Sequence, residues 1–257
     1  MSLQDSHKPR VGIPWRTSEE ERNGVREKLE NYFAAVRRAG AEPTEISLNQ
    51  PSEKLTEQIE RLDGFVLPGS PADVEPSRYG ATRHEKTKTL DPSRDRTDST
   101  ILDHAIAEHK PVLAICYGCQ ILNVHQHGTL VQDIAAERPG TEVHGNTDLA
   151  VGATKGDAEH NASLAAGSRL AKLAGAERVH INSSHHQAID KPGEGLRVTA
   201  RSAEGIVEGV ELQDERNWVL GVQWHPERMP DDAFAQKIFG DFVAAVERNR
   251  AAIAPKS

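Results

Sequence analysis

Two short segments of the chain carry side chains that can do covalent chemistry together. The first is Pro111-Val-Leu-Ala-Ile-Cys-Tyr-Gly-Cys-Gln-Ile-Leu-Asn-Val124, an apolar β-prone run that ends in Cys116, turns at Gly118 and continues as an apolar helix-like segment. A strand, a tight turn and a helix put the Cys116 side chain at a strained apex above the N–H groups of a helix start. The positive end of that helix favours a thiolate. The second segment, Gly221-Val-Gln-Trp-His-Pro-Glu227, is an apolar run ending in His225 with a carboxylate two residues on. Cys116, His225 and Glu227 are thus a candidate nucleophile, general base and orienting carboxylate. Taken singly, Cys116 could be a buried structural thiol and His225 a strand-end histidine.

Cys116-x-Gly118-x-Gln120 with a distant His225-Pro-Glu227 resembles the class I glutamine amidotransferase superfamily. Leu67-Pro-Gly-Ser-Pro71 and Val179-His-Ile-Asn-Ser-Ser-His-His-Gln-Ala188, in the same order, narrow the likeness to its γ-glutamyl-γ-aminobutyrate hydrolase (peptidase C26) branch, from about Val11 to about Val246. The resemblance implies that Cys116 attacks a γ-carboxamide carbon to form a thioester, with His225 moving the proton. Two N–H donors must then meet the developing oxyanion. They are expected from the backbone of Tyr117, directly after the nucleophile, and of Gly69, in a strand-end segment that is otherwise an ordinary turn. Gln120 lies one helical turn past Cys116 and can face the same site. In the resembling family it contacts the glutamyl group, and the segment holding Ser184 and His185 lines the glutamyl pocket. Arg94 is read, with Arg96, as part of a long charged loop that could pair with a substrate carboxylate or simply be solvated.

The chain departs from the branch at two places. Tyr117 stands where much of the branch has arginine, and His127-Gly128 stands where Gly-Gly is usual. Both put the substrate in question more than the reaction. Three functions remain open: a stand-alone γ-glutamyl hydrolase, a glutaminase subunit passing ammonia to a separate synthase, and an inactive binding protein on the same fold.

Composition restricts the partners. A net charge of −8 offers no basic stripe for phosphates, which argues against nucleic acid. No apolar run approaches the ~20 residues needed to cross a bilayer, and Met1–Arg10 has no signal-peptide core, so a cytoplasmic setting is expected. Cys116 and Cys119 are the two cysteines, and without a second pair a zinc or redox Cys-x-x-Cys is disfavoured. His185 and His186, with His125, His127 and His144, could be mistaken for zinc ligands. Adjacent strand residues point to opposite faces, so no metal and no cofactor is expected. The expected partner is a small γ-glutamyl compound, with a homodimer possible.

Strands alternating with helices must position these groups. The pattern predicts strands at 10–14, 42–48, 64–67 and 111–115, and helices at 25–39, 55–62, 97–108 and from about 230 to 248. Short strands come after Gly128, at 143–151, 178–182, 196–202, 207–212 and 219–222. The fold expected is a three-layer α/β sandwich with a mostly parallel central sheet, flavodoxin-like, plus a small antiparallel extension. One catalytic domain over 10–250 is expected, with flexible ends at 1–9 and 251–257, and 71–98 as the long irregular piece.

Overall fold

The computed structural model describes residues 8–141, 144 and 157–253. Its centre is a parallel sheet whose strands are short because both faces are covered: β1 (Arg10–Pro14), β2 (Glu42–Ile46), β3 (Gly64–Leu67), β4 (Val112–Ile115) and β11 (Val219–Val222). The order is β2-β1-β3-β4-β11, every neighbour parallel. β3, β4 and β11 are buried at every position, as parallel strands under two helix layers must be.

Beyond β11 the sheet turns antiparallel through β10 (Val207–Leu212), β9 (Leu196–Ser202), β6 (Ala158–Leu164) and β7 (Arg178–Ser183). A side branch, β8 (Ala188–Lys191), pairs with β10 and with β5 (Thr129–Val131). The expected α/β layering is present. The strand expected at 143–151 lies outside the described residues except for His144.

Helices cover both faces. α2 (Glu27–Arg38), α7 (Arg169–Ala174) and α8 (Ala233–Ile253) pack one side, burying Tyr32, Phe33, Leu170, Ile238, Phe242 and Val246. α3 (Ser52–Glu60), α4 (Pro92–Ala107) and α5 (Tyr117–His125) pack the other, with Leu55, Ile59, Ile101, Leu102 and Ile121. Two short helices, α1 (Ser18–Asn23) and α6 (Ile134–Glu137), are capped by Thr17 and Asp133.

α4 begins five residues before its expected start. Asp91 accepts the Arg94 N–H at 3.1 Å and Pro92 fills the first turn, so Asp-Pro-Ser-Arg is a helix start rather than a loop. This moves Arg94 and Arg96 out of the irregular segment and onto a helix packed against the sheet.

Candidate active site

Parallel strands deliver their next residues to one edge of the sheet, the usual place for a site in this architecture. β4 lies between β3 and β11, with Ala114 opposite Leu67 and Ile115 opposite Val222. Sheet order alone therefore brings together three residues just past the strand ends: Gly69, Cys116 and His225.

Cys116 occupies the turn between β4 and α5 with φ 53° and ψ −107°. A non-glycine residue there stores of order 1–3 kcal/mol of strain, held because both flanking elements are fixed. The Cys116 N–H donates to Val222 O at 2.8 Å, tying the elbow to β11. Gly118 is required, since a Cβ there would lie 2.2 Å from Leu67 O. Cys119 points into the core with its sulfur against Gly221, and burial pushes its thiol pKa up, so it behaves as a small apolar side chain.

His225 is held from both sides of its backbone. Its N–H donates to Asn182 Oδ1 at 2.9 Å, and its carbonyl accepts from Asn182 Nδ2 at 3.1 Å. Its Nδ1 is 2.8 Å from Glu227 Oε1, which sits in a one-turn helix opened by Pro226. Burial alone would lower the imidazole pKa, but the Glu227 carboxylate and the Cys116 thiol together raise it to about 9. Burial would likewise raise Glu227, and His225 with Arg228 reverses this and holds its carboxyl below the usual value. Arg228 reaches Glu227 Oε1 at 3.4 Å and Asp157 at 2.6 Å.

Gly69 closes the third side. A Cβ on it would meet His225 Cε1 at 2.8 Å and Cys116 Cβ at 3.3 Å, so only glycine lets this turn approach. Its N–H, expected to be free for an oxyanion, donates to the Tyr32 hydroxyl at 3.0 Å. Tyr117 opens α5, so its N–H has no partner within the helix.

Gln120 faces the same cleft, its Nε2 3.2 Å from Gln187 O and 3.3 Å from Gln223 Oε1. Ser184 and His185 line the opposite wall, and the His185 Nδ1 lies 2.8 Å from Gln187 O. The cleft holds about 390 Å³. Among the described residues its charged lining is mostly cationic, from Arg16, Lys28, Lys88 and Arg228, against the acid Asp73. Sequence reasoning missed all four cations because they lie on four separate segments, and nothing local marks them as one surface.

Arg94 is not at the cleft. Its guanidinium is fully buried, donating to Asp98 at 2.8 Å, to the carbonyls of Trp15, Arg16 and Pro68, and lying 4.9 Å above the Tyr117 ring. The expectation that it meets a substrate carboxylate fails because every arm of the fork is committed inside the protein. Arg96 caps carbonyls of Leu48 and Gln50. The two departures from the branch are equally remote: the Tyr117 ring is buried beneath Arg94, and His127 is exposed with φ 66°. Neither side chain lines the cleft.

A parallel α/β sheet with a thiol on the elbow after a central strand and a His-Pro-Glu turn after its neighbour defines the class I glutamine amidotransferase architecture. The chain belongs to the peptidase C26 family, whose profile matches residues 9–227. It is 33% identical over 224 residues to the γ-glutamyl-γ-aminobutyrate hydrolase PuuD of Escherichia coli, covering 86% of each chain. It is 29% identical over 248 residues to a glutamine amidotransferase-like protein of Rickettsia prowazekii, covering 84% of this chain and 87% of that one. A crystal structure assigned as a GMP synthase subunit from Thermoplasma acidophilum superposes with a TM-score of 0.65 over 96% of this chain and 98% of that one, at 15% identity, which is a likeness of fold. These relationships place the chain among hydrolases of the C–N-cleaving, glutamine amidotransferase-like type.

Proposed function

We propose that the chain is a stand-alone cysteine hydrolase that cleaves the γ-glutamyl amide of a small amine bearing its own negative charge. The observation that carries this reading is that Cys116 and His225 line one cleft whose charged lining is mostly cationic, with Glu227 2.8 Å behind His225 Nδ1. His225 takes the Cys116 proton first, giving a thiolate–imidazolium pair, and Cys116 Sγ then bonds to the γ-carbonyl carbon. The tetrahedral oxyanion collapses, the C–N bond breaks, and His225 gives the proton to the departing amine. Water, deprotonated by the same imidazole, then attacks the thioester, releasing glutamate and restoring the thiol.

The cationic lining supports the substrate class. A γ-glutamyl group carries one α-carboxylate balanced by its own ammonium, so it does not by itself call for four cations. Arg228 already pairs with Asp157 and Glu227, and Arg16 with Glu20, so a carboxylate on the leaving amine, as in the substrate that gives the Escherichia coli relative its name, is met by Lys28 and Lys88.

The test is glutamate release from glutamine, γ-glutamyl-γ-aminobutyrate and uncharged γ-glutamyl amines, with Cys116→Ala alongside. Turnover of the carboxylate-bearing amide, at least tenfold better in kcat/KM than of an uncharged amide of equal length and lost by ~10³-fold or more in the variant, is expected. Equal turnover of charged and uncharged amides would remove the substrate reading. Undiminished activity of Cys116→Ala would remove the mechanism.

A further inference from the structure

Behind the wall of the cleft, four ionisable side chains converge in the protein interior: His144, His160, His185 and Glu208. All are buried, Glu208 completely. His144 Nδ1 lies 3.2 Å and His160 Nε2 3.6 Å from Glu208 Oε1, and His185 Nε2 lies 3.9 Å from Oε2. None of these contacts has hydrogen-bond geometry. Both Glu208 oxygens, both His144 nitrogens and the Nε2 atoms of His160 and His185 have no hydrogen-bond partner among the described residues.

The arrangement is costly unless something positive sits in it. A buried carboxylate without a partner is among the least favourable groups a protein can hold. Two of the three imidazoles do not supply protons to it. The Nδ1 of His185 faces Gln187 O at 2.8 Å and that of His160 faces Asn161 O at 3.4 Å. With the ring hydrogen on those nitrogens, both Nε2 lone pairs point at the carboxylate. A backbone carbonyl behind each ring is how proteins orient histidine metal ligands. Ligand atoms of His144, His160 and Glu208 all lie within 4.8 Å of one another and His185 Nε2 lies 3.9 Å from the second Glu208 oxygen, a cluster that closes by small side-chain shifts to the spacing of about 3.3 Å of four ligands at 2.0–2.1 Å in a tetrahedron.

We propose that His144, His160, His185 and Glu208 form a closed, four-coordinate site for a divalent transition metal of the zinc class. Three imidazoles and one carboxylate suit zinc, and a donor set without thiolates disfavours cuprous ion. Four protein ligands leave no open position, so the metal is structural. It ties β6 and β10 to the turn after β7. That turn comes after Asn182, whose amide grips the His225 backbone, and β10 holds the segment after β11 through the Gln223 N–H to Glu208 O bond at 2.8 Å. Neither the spacing of adjacent histidines nor the cysteine count could reveal this set. His186, the neighbour of His185, turns away to Asp73 and Asp133.

The test uses the full chain, produced with zinc in the medium and purified without chelators or metal-affinity resin. Elemental analysis of the wild type is expected to give roughly one zinc per chain, and His160→Asn and Glu208→Gln roughly a tenth of that or less. Cobalt substitution needs no variant: the wild type should show the intense visible bands of four-coordinate Co²⁺. Stripping zinc with dipicolinate should lower Tm by about 5 °C or more, restored by zinc. A folded wild type that holds no zinc and gives no cobalt spectrum overturns the proposal, and so does full zinc content in both variants. The first result would leave the cluster as a proton-sharing network centred on a neutral Glu208. Because zinc content is read independently of glutamate release, the site stands or falls apart from the proposed reaction.

Discussion

At the scale of single residues, the site is controlled by the groups that surround each charge. The His225 pKa of about 9 results from the Glu227 carboxylate and Cys116 outweighing burial, and it dictates a pH dependence. The imidazolium that must protonate the leaving amine persists until the pH passes about 9, so the kcat/KM profile should fall on its alkaline side near that value. An alkaline limb centred near neutrality would contradict the Glu227 contribution. The same shift bears on stability. The folded pKa lies above the unfolded value, so the stabilisation is complete below about 6.5 and is lost as the pH rises through about 9. Glu227 acts oppositely. Its folded pKa is depressed, so its contribution is present above about 4.3 and is lost as the pH falls through the folded value.

Arg94 gives a second prediction at this scale. It opposes the burial that raises the Asp98 carboxyl, which stands at about 6 with both acting, and it pins the Pro68 carbonyl next to Gly69. Arg94→Met leaves a buried acid unpaired and should cost about 3–5 kcal/mol in urea unfolding. The KM of the folded fraction should stay within about twofold, because no part of Arg94 meets the cleft. A large rise in KM with unchanged stability would restore the substrate contact expected from the sequence.

At the scale of elements, the elbow depends on how closely α5 and the turn after β3 approach. Gly118 sits so near Leu67 that a methyl group would overlap the carbonyl oxygen. Gly118→Ala should therefore push α5 off β3, destabilising the chain by about 1–3 kcal/mol or more. It should also lower kcat by more than tenfold, because the Tyr117 N–H moves with the helix. A fully active, equally stable variant would show that the elbow yields. This element was legible in sequence because β-period, turn glycine and helix period meet within ten residues. β1, β3, β4 and β11 were legible for the same reason, each being a short apolar run with punctuation at its ends. The start of α4 was misread because Asp-Pro signals both a turn and a helix cap, and only the contact between Asp91 and the Arg94 N–H separates them. β6 and α7 carry mixed polar patterns that report burial on one side only, so their periodicity was too weak to see. Of the histidine cluster, the sequence offers His144 and His185 as ligand candidates but nothing that joins them to His160 and Glu208, because the four lie on separate segments and their logic is the absence of partners among the described residues, which no linear pattern displays.

At the scale of the whole molecule, the sheet changes character at the β11–β10 pair, parallel on one side and antiparallel on the other. A change of topology at one pair of strands can mark a boundary between units that unfold separately. The packing argues against that here. Ala162 of β6, Ala200 of β9 and Leu170 of α7 share one apolar cluster with Leu220 and Val222 of β11 and with Phe239 and Phe242 of α8. The two halves also share hydrogen bonds that hold the site: Asn182 of β7 grips His225, and the Glu208 carbonyl of β10 accepts the Gln223 N–H. Neither half can leave without exposing apolar surface of the other, at a cost of about 25 cal/mol for each Å² uncovered. The antiparallel strands and the parallel core should therefore melt together. In urea, far-ultraviolet circular dichroism and the fluorescence of Trp218 and Trp224, which sit on the parallel side, should trace one transition with one midpoint. Residue-resolved hydrogen exchange supplies the stricter comparison: amides of β9 and β10 should be protected to the same free energy as those of β4 and β11, within about 1 kcal/mol. Much weaker protection in β9 and β10 would make the antiparallel half a separable cover. His185 and Asn182 would then reach the site only when that cover is docked, and the pocket wall would be a moving part rather than a fixed one.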